Sequence, residues 1–337
     1  MRAALLQAPG QLSVGPLPDP LPASDELIVR VAACGVCGTD RSIYRGEYVV
    51  GLPLVMGHEL SGTVVSVGPQ TAGFSLGDRV TVDPNVVDDT CYYCRHGVDH
   101  LCSGLRAVGV GRPGGFAELA AVPSRYAYQL PDGISLEVGS QIEPIACAVH
   151  GIDQARIATG DVVLVVGSGP IGCLLIQLTR LQGAARIVVS EPNPARRRLA
   201  ELSGADVACD PADLRTTLRA VRGEVGPDVV IEASGNPAGA SAAVELVRRG
   251  GTVLLFAVYP EAARIELSPF RVNEDELRIV GSLNNPHTHQ RAIDLVASGR
   301  LDLTSLITDQ IGLEDLERSM DIGNFPTAGK ILVVPTQ

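Results

Sequence analysis

The chain lacks a basic excess. Against 38 Asp and Glu it sets only 27 Lys and Arg in 337 residues, a formal net charge of −11 and a pI near 5.0. Such a surface repels phosphate backbones and anionic lipid, which argues against nucleic acid and membranes as partners. Long apolar runs are missing too. No segment approaches the roughly 18 apolar residues that a spanning helix needs, and Val162–Val166, the run that stands out, has the length of a strand. Met1–Pro20 contains four prolines and no stretch of signal-peptide type. Internal repeats and low-complexity tracts are likewise absent. A soluble, cytoplasmic protein that acts on a small molecule is expected.

Hydrophobic residues make up 45% and charged residues 19%, enough to build a sizeable interior, and the length suits two domains better than one. Eight cysteines occur, and Cys91, Cys94 and Cys102 lie within twelve residues of one another. In a long, apparently cytosolic chain such clustering points to metal or catalysis rather than disulfides.

Up to about residue 149 the chain reads as β-rich, with short runs at Ala3–Leu6, Glu26–Ala33, Gly62–Gly68 and Arg79–Val82 broken by Gly, Pro and Asp. From about His150 the rhythm changes. Strand-like segments at Val162–Val166, Arg186–Ser190, Val207–Cys209, Val229–Glu232, Thr252–Ala257 and Arg278–Ser282 alternate with amphipathic stretches at Ile171–Leu181, Ala195–Leu202, Asp213–Val221 and Ala238–Val247. That alternation predicts an α/β domain, a doubly wound parallel sheet with helices on both faces. Helices at His289–Ser298 and Leu313–Ile322 and a strand at Lys330–Val334 follow.

Directly after Val162–Val166 comes Gly167-Ser168-Gly169-Pro170-Ile171-Gly172, a G-x-G-x-x-G match. The first glycine permits a tight turn, the second lets backbone approach a pyrophosphate, and the third lets helix and strand pack closely. Glu191 stands 19 residues beyond Gly172, at the end of the next strand. A carboxylate there accepts from an adenosine ribose and disfavours a 2′-phosphate, so NAD is expected in preference to NADP. A solvated Glu191 is the plainer alternative, and the neighbouring Arg196 and Arg197 leave NADP open.

Three further segments carry metal-binding types: Cys37-Gly38-Thr39-Asp40, Gly57-His58-Glu59 and Glu143-Pro144. One thiolate, one imidazole and one carboxylate form a reasonable donor set for zinc with a position left open. Spacing alone does not bring them together. The C-x-x-C of Cys34 and Cys37 also reads as redox-active or accidental, and an isolated His58 as a loop histidine.

Taken in order along the whole chain, these segments and the glycine motif resemble the zinc-dependent medium-chain alcohol and polyol dehydrogenases, specifically the sorbitol, butanediol and threonine dehydrogenase branch. The resemblance implies a GroES-like catalytic domain over 1–149 and 286–337 and a Rossmann domain over 150–285. It implies that Cys37, His58 and Glu143 ligate a catalytic zinc, with Glu59 behind them or exchanging, Asp40 orienting His58, and Thr39 accepting the substrate proton. Ser42 stands where such enzymes often continue the proton relay with a histidine. Asp88, Cys91, Cys94 and Cys102 match the family's structural zinc loop, with Asp88 in place of the first cysteine; His96 or His100 as fourth ligand, or a loop without metal, are the alternatives. Tyr44, Asn284 and Asn285 are expected at the substrate, the last two where sorbitol dehydrogenases carry an Arg-Tyr pair. Ser234, Phe256 and Val258, at strand C-termini, are expected to line the nicotinamide. The implied activity is hydride transfer between a secondary alcohol (a polyol, diol or sugar-like compound) and NAD, in a dimer or tetramer. Glucose-type or threonine-type activity and a non-catalytic NAD-binding protein are the rivals.

Overall fold

The computed structural model describes residues 1–325 and 329–336; residues 326–328 and 337, part of the segment expected to belong to the catalytic domain, lie outside the described residues. The chain divides into two compact units, Met1–Ala146 with Asn284–Gln337, and Cys147–Leu283. Among the described residues no helix is long and apolar enough to cross a membrane.

The first unit is built on strands β1 (Arg2–Ala8), β2 (Gln11–Pro16), β3 (Glu26–Gly35), β4 (Leu54–Val55), β5 (Glu59–Val67), β6 (Arg79–Val82), β7 (Leu119–Pro123) and β8 (Ala127–Gln129). The second contributes β9 (Val162–Val166), β10 (Arg186–Ser190), β11 (Val207–Cys209), β12 (Val229–Glu232), β13 (Thr252–Leu255) and β14 (Arg278–Gly281). The chain then returns to the first unit with β15 (Ile307–Ile311) and β16 (Lys330–Val333).

In the first unit β2, β1 and β4 form a small sheet, and a larger one runs β15-β16-β3-β5-β6-β8 with β7 also paired to β3. Leu6, Leu27, Met56, Leu60 and Phe116 are fully buried in the core these sheets enclose. Burying each such side chain contributes about 1.5–3 kcal/mol relative to exposure. The β3–β5 register positions the chemistry. Gly35, the last residue of β3, pairs with Glu59, the first of β5. The residues just past one strand and just before the other, Cys37 and His58, are therefore delivered to the same sheet edge. Gly57 has φ +93, and a Cβ there would stand 2.8 Å from both Cys34 Sγ and the Phe116 ring, so only glycine makes this turn.

The second unit is a six-stranded parallel sheet in the order β11-β10-β9-β12-β13-β14. Every residue of β9 is buried, which explains its unbroken Val-Val-Leu-Val-Val. Three of its helices begin Pro170, Pro194 and Pro237, each with proline in the first turn, where its missing N–H costs nothing. Asn193 and Asn236 cap the latter two, accepting from Ala195 N at 2.8 Å and Ala238 N at 2.9 Å. Strand order reverses between β9 and β12, and in such sheets ligands bind beyond the strand C-termini at that point.

Several expected elements differ. The helix expected over Leu313–Ile322 is broken into a 3₁₀ turn (Leu313–Asp315), one helical turn (Leu316–Ser319) and a second 3₁₀ turn (Ile322–Asn324). Asp321 ends it by accepting from Gly323 N at 2.8 Å. The strand expected to reach Ala257 stops at Leu255, because Phe256 N and Ala257 N both turn to the carbonyl of Glu232, at 2.9 and 3.2 Å. Strands β2, β4, β7, β8 and β15, most of them short, were not among those expected from sequence.

Candidate active site

Cys37, His58 and Glu59 offer a sulfur, a nitrogen and an oxygen that lie within 4.8 Å of one another. Cys37 precedes the helix Gly38–Tyr44, and its backbone N–H donates to Asp40 Oδ2 at 2.8 Å. Asp40 is fully buried, and its Oδ1 stands 3.6 Å from His58 Nδ1. Both atoms are buried without a hydrogen-bond partner. Burial pulls the His58 pKa down, but the charges of Asp40 and Cys37 outweigh it and hold the ring well above the usual histidine range. Zinc fits this donor set on chemical grounds. Thiolate, imidazole and carboxylate are its preferred ligands, and a ligating histidine keeps its other ring nitrogen toward a carboxylate, the place Asp40 occupies. Thr39 stands beside them, its hydroxyl 3.8 Å from Cys37 Sγ.

Glu143 does not belong to that 4.8 Å group. Glu59 follows His58 directly and opens β5, so the strand register places it, whereas Glu143, expected as the third ligand, sits in the first turn of Ile142–Ala155. It is buried nonetheless, and its charge reaches Lys330.

Lys330, not foreseen from sequence, forms a buried ion pair with Glu59 Oε2. Burial pulls its pKa down, but Glu59, Cys37 and Glu143 together hold it above the usual lysine value. A Cβ on Gly35 would fall 2.0 Å from Glu59 Oε2 and 2.6 Å from Lys330 Cε, so this glycine makes room for the pair. The signal in the sequence was a lone lysine opening the apolar strand Lys330–Val333. Cys34 of the C-x-x-C is fully buried, where desolvation pushes its thiol well up, and it packs against Gly57 and Gly115.

Asp88, Cys91, Cys94 and Cys102 form a second group within 4.8 Å. Asp88 Oδ1 accepts from Thr90 N at 2.8 Å and Cys91 N at 2.9 Å, which lowers the Asp88 pKa. Amides of Asp88 and Gly104 donate to Cys102 Sγ at 3.4 and 3.3 Å. The Cys91 thiol is lowered to about 7, chiefly by the Cys94 amide, while the Cys94 thiol is pushed up to about 12, chiefly by desolvation. Backbone N–H groups aimed at sulfur favour thiolate, the form that binds metal. His96 and His100, the alternatives for the fourth position, are outside this group; His96 instead stacks on Tyr92 with ring centroids 4.0 Å apart.

In the second unit Gly167 has φ +90 and Gly172 packs so closely that its Cβ would lie 2.3 Å from Gly167 O. At Gly169, the N-cap of the helix Pro170–Leu181, an added Cβ meets nothing within 4 Å. That opening beside the unpaired amides of a helix N-terminus, with Pro170 and Ile171 in its first turn, fits a pyrophosphate. Glu191 is buried; Ser168 N donates to one carboxylate oxygen at 3.0 Å and Asn193 N to the other at 2.9 Å. Arg197 is committed to the Glu191 and Pro192 carbonyls at 2.7 and 2.9 Å and to Asp210, while Arg196 Nε is buried without a partner. Ser234 backs onto Gly167, and Gly235 onto the Val258 carbonyl. Phe256 lies against Gly151, and Val258 is exposed.

The residues expected at substrate, Tyr44, Asn284 and Asn285, make hydrogen bonds within the protein. Tyr44 donates to Glu317 Oε1 at 2.9 Å, and Asn284 to the His100 carbonyl at 3.4 Å. Asn285 is 2% exposed; its Oδ1 accepts from Asn85 Nδ2 at 2.7 Å, and its amide meets His289 Nδ1 at 3.3 Å.

A dinucleotide cradle on a parallel sheet, together with thiolate–imidazole–carboxylate donors on a β-rich unit, defines the class of zinc-dependent dehydrogenases. Residues 23–132 match the family model of the alcohol dehydrogenase GroES-like domain, and 170–298 that of the zinc-binding dehydrogenases. D-arabinitol dehydrogenase 1 of Uromyces fabae is 34% identical over 99% of this chain and 97% of its own. Sorbitol dehydrogenase of Bacillus subtilis is 30% identical over 95% and 93%. A crystal structure described as a zinc-binding dehydrogenase from Sinorhizobium meliloti, bound to NADP, superposes with a TM-score of 0.94 at 37% identity and covers 99% of both chains. The chain belongs to the zinc-dependent medium-chain alcohol and polyol dehydrogenase family. It is accordingly an oxidoreductase that acts on alcohols with a nicotinamide dinucleotide.

Proposed function

We propose that the protein oxidises a neutral polyol, or reduces the corresponding ketose, with NAD preferred to NADP. The observation that carries this is the Cys37–His58–Glu59 group with Thr39 beside it, in a chain whose relatives include an arabinitol and a sorbitol dehydrogenase. Cys37, His58 and a carboxylate would hold the catalytic zinc, and the arrangement favours Glu59 over Glu143 for that carboxylate. When bound, zinc supplies a Lewis acid that brings an alcohol's pKa toward neutrality. The nicotinamide supplies the hydride acceptor. Asp40 fixes the orientation of His58, and Thr39 Oγ1 takes the proton of the alcohol. Lys330 offsets part of the negative charge gathered by Cys37, Glu59 and Glu143.

The preference for NAD rests on Glu191. Its carboxylate is held in place by two backbone amides, and a 2′-phosphate beside it would meet like charge. Arg197 is committed to three acceptors, which leaves Arg196 as the nearer cation for NADP. Glu191→Ala is expected to lower the ratio of kcat/KM for NAD over NADP by about ten- to a hundredfold. An unchanged ratio would remove Glu191 from cofactor selection.

The lobe of Asp88, Cys91, Cys94 and Cys102 is assigned a structural zinc. Cys94→Ser is expected to take zinc from about two ions per chain to about one and to lower thermal stability, since such metal binding is coupled to folding. Wild-type protein with a single ion per chain would sink that assignment. The activity is tested with polyols, diols, aldoses and threonine against both dinucleotides, with and without chelator. Chelator-sensitive polyol oxidation supports the reading; selective turnover of threonine or an aldose would replace the substrate class.

A further inference from the structure

The V-V-I-E end of β12 carries a group for which the dehydrogenase reading has given no role. Glu232 is fully buried at the C-terminus of this strand, level with Val166 of β9 and Leu255 of β13. It therefore lies at the point where strand order reverses, the crevice in which such sheets bind dinucleotides. Its carboxylate accepts four hydrogen bonds. Oε1 takes Ser234 N at 2.9 Å and the Ser234 hydroxyl; Oε2 takes Gly235 N at 3.3 Å and the Tyr259 hydroxyl. One anion thus ties the turn after β12 to the loop after β13. A Cβ on Gly239 would come within 2.9 Å of Oε1, so this glycine lets the helix behind pack close to the carboxylate. Ser234, held in this way, is the residue against which Gly167 turns, 3.0 Å from its Cα to the position of a Gly167 Cβ.

Sheets of this kind bind a dinucleotide in two halves. Glu191, on the β9–β11 side, serves the adenosine half, so the β12–β14 side serves the nicotinamide half. We propose that Glu232 is a positioning residue for the nicotinamide half of the cofactor, fastening Ser234–Gly235 and the Tyr259 loop into one wall. The inference rests on the reading that a nicotinamide dinucleotide binds this sheet. An ionised carboxylate suits the task because all four partners donate; a glutamine offers one acceptor oxygen and turns an NH₂ toward a backbone N–H that cannot accept from it.

The test is ligand binding to the full-length protein, with ADP-ribose as a probe that lacks nicotinamide. NADH or NADPH, whichever the wild type binds more tightly, is followed by nicotinamide fluorescence, and ADP-ribose by calorimetry. In Glu232→Gln the Kd of the reduced dinucleotide is expected to rise at least about tenfold, the scale of one lost hydrogen bond to a charged group, while that of ADP-ribose changes by less than about threefold. Tyr259→Phe, which removes one of the four contacts and spares folding, is expected to show the same split at about two- to fourfold. Equal weakening of both ligands, or no weakening of either, would overturn the role of Glu232. A folded wild type that binds neither NADH nor NADPH would instead overturn the dinucleotide reading beneath it.

Discussion

Cys37→Ser is expected to reduce kcat for polyol oxidation by about a thousandfold or more, roughly 4 kcal/mol of transition-state stabilisation. The hydroxyl of serine stays protonated at neutral pH and binds zinc poorly, so the metal content should fall by about one ion per chain. The fold should survive. Cys37 lies just past β3, capping the helix Gly38–Tyr44, rather than in the core, and its backbone N–H still reaches Asp40. Far-UV circular dichroism and zinc analysis on one preparation separate the outcomes. A variant that keeps its zinc and most of its turnover would place the chemistry elsewhere.

Lys330→Met is expected to be the most destabilising single change at the site. In the metal-free protein the substitution keeps the apolar stem and removes the ammonium, leaving Glu59 without its buried partner and Glu143 without a neighbouring positive charge. Breaking one side of a buried pair costs about 3–5 kcal/mol. For a unit of this size that lowers the melting temperature by on the order of 10 °C. The double variant Lys330→Met with Glu59→Gln should recover a large part of the loss, because the orphaned charge is gone. The sign with pH follows from the direction of the shift. The folded-state pKa of Lys330 is raised, so its contribution is fully present below the unfolded lysine value near 10.4 and is lost as pH rises through the folded value. Between pH 6 and 9 the penalty of the single variant should therefore be constant. A single variant as stable as wild type in thermal unfolding would show that Glu59 does not need this cation.

Much of the fold was legible because its signals are local. An apolar run, a glycine turn and an amphipathic segment repeat across the parallel sheet, and prolines and asparagines punctuate its helix starts. The broken helix at Leu313–Ile322 was not, because Leu313, Leu316 and Met320 keep helical spacing while Asp321 and Gly323 end it through one side-chain hydrogen bond. At the metal site, residue types pointed to Cys37, His58 and the carboxylates, but the meeting of Cys37 with His58 and Glu59 depends on the β3–β5 register, which spacing does not reveal. Lys330 was hidden for the same reason. It joins Glu59 from 271 positions away in sequence, through the pairing of β16 with β3. Asn285 is placed by distant partners as well, its amide buried against Asn85 and His289.

The central claim is zinc-dependent hydride transfer, and transfer of isotope tests it most directly. Zinc-loaded enzyme is incubated with NAD and a polyol deuterated at its carbinol carbons, and the nicotinamide is examined by mass spectrometry and proton NMR. The expected result is deuterium at C4 of the reduced ring, on one face, suppressed when zinc is removed by chelation and restored when it is returned. Folded, zinc-loaded protein that transfers no label from any polyol or other alcohol in the panel, to NAD or to NADP, would contradict it.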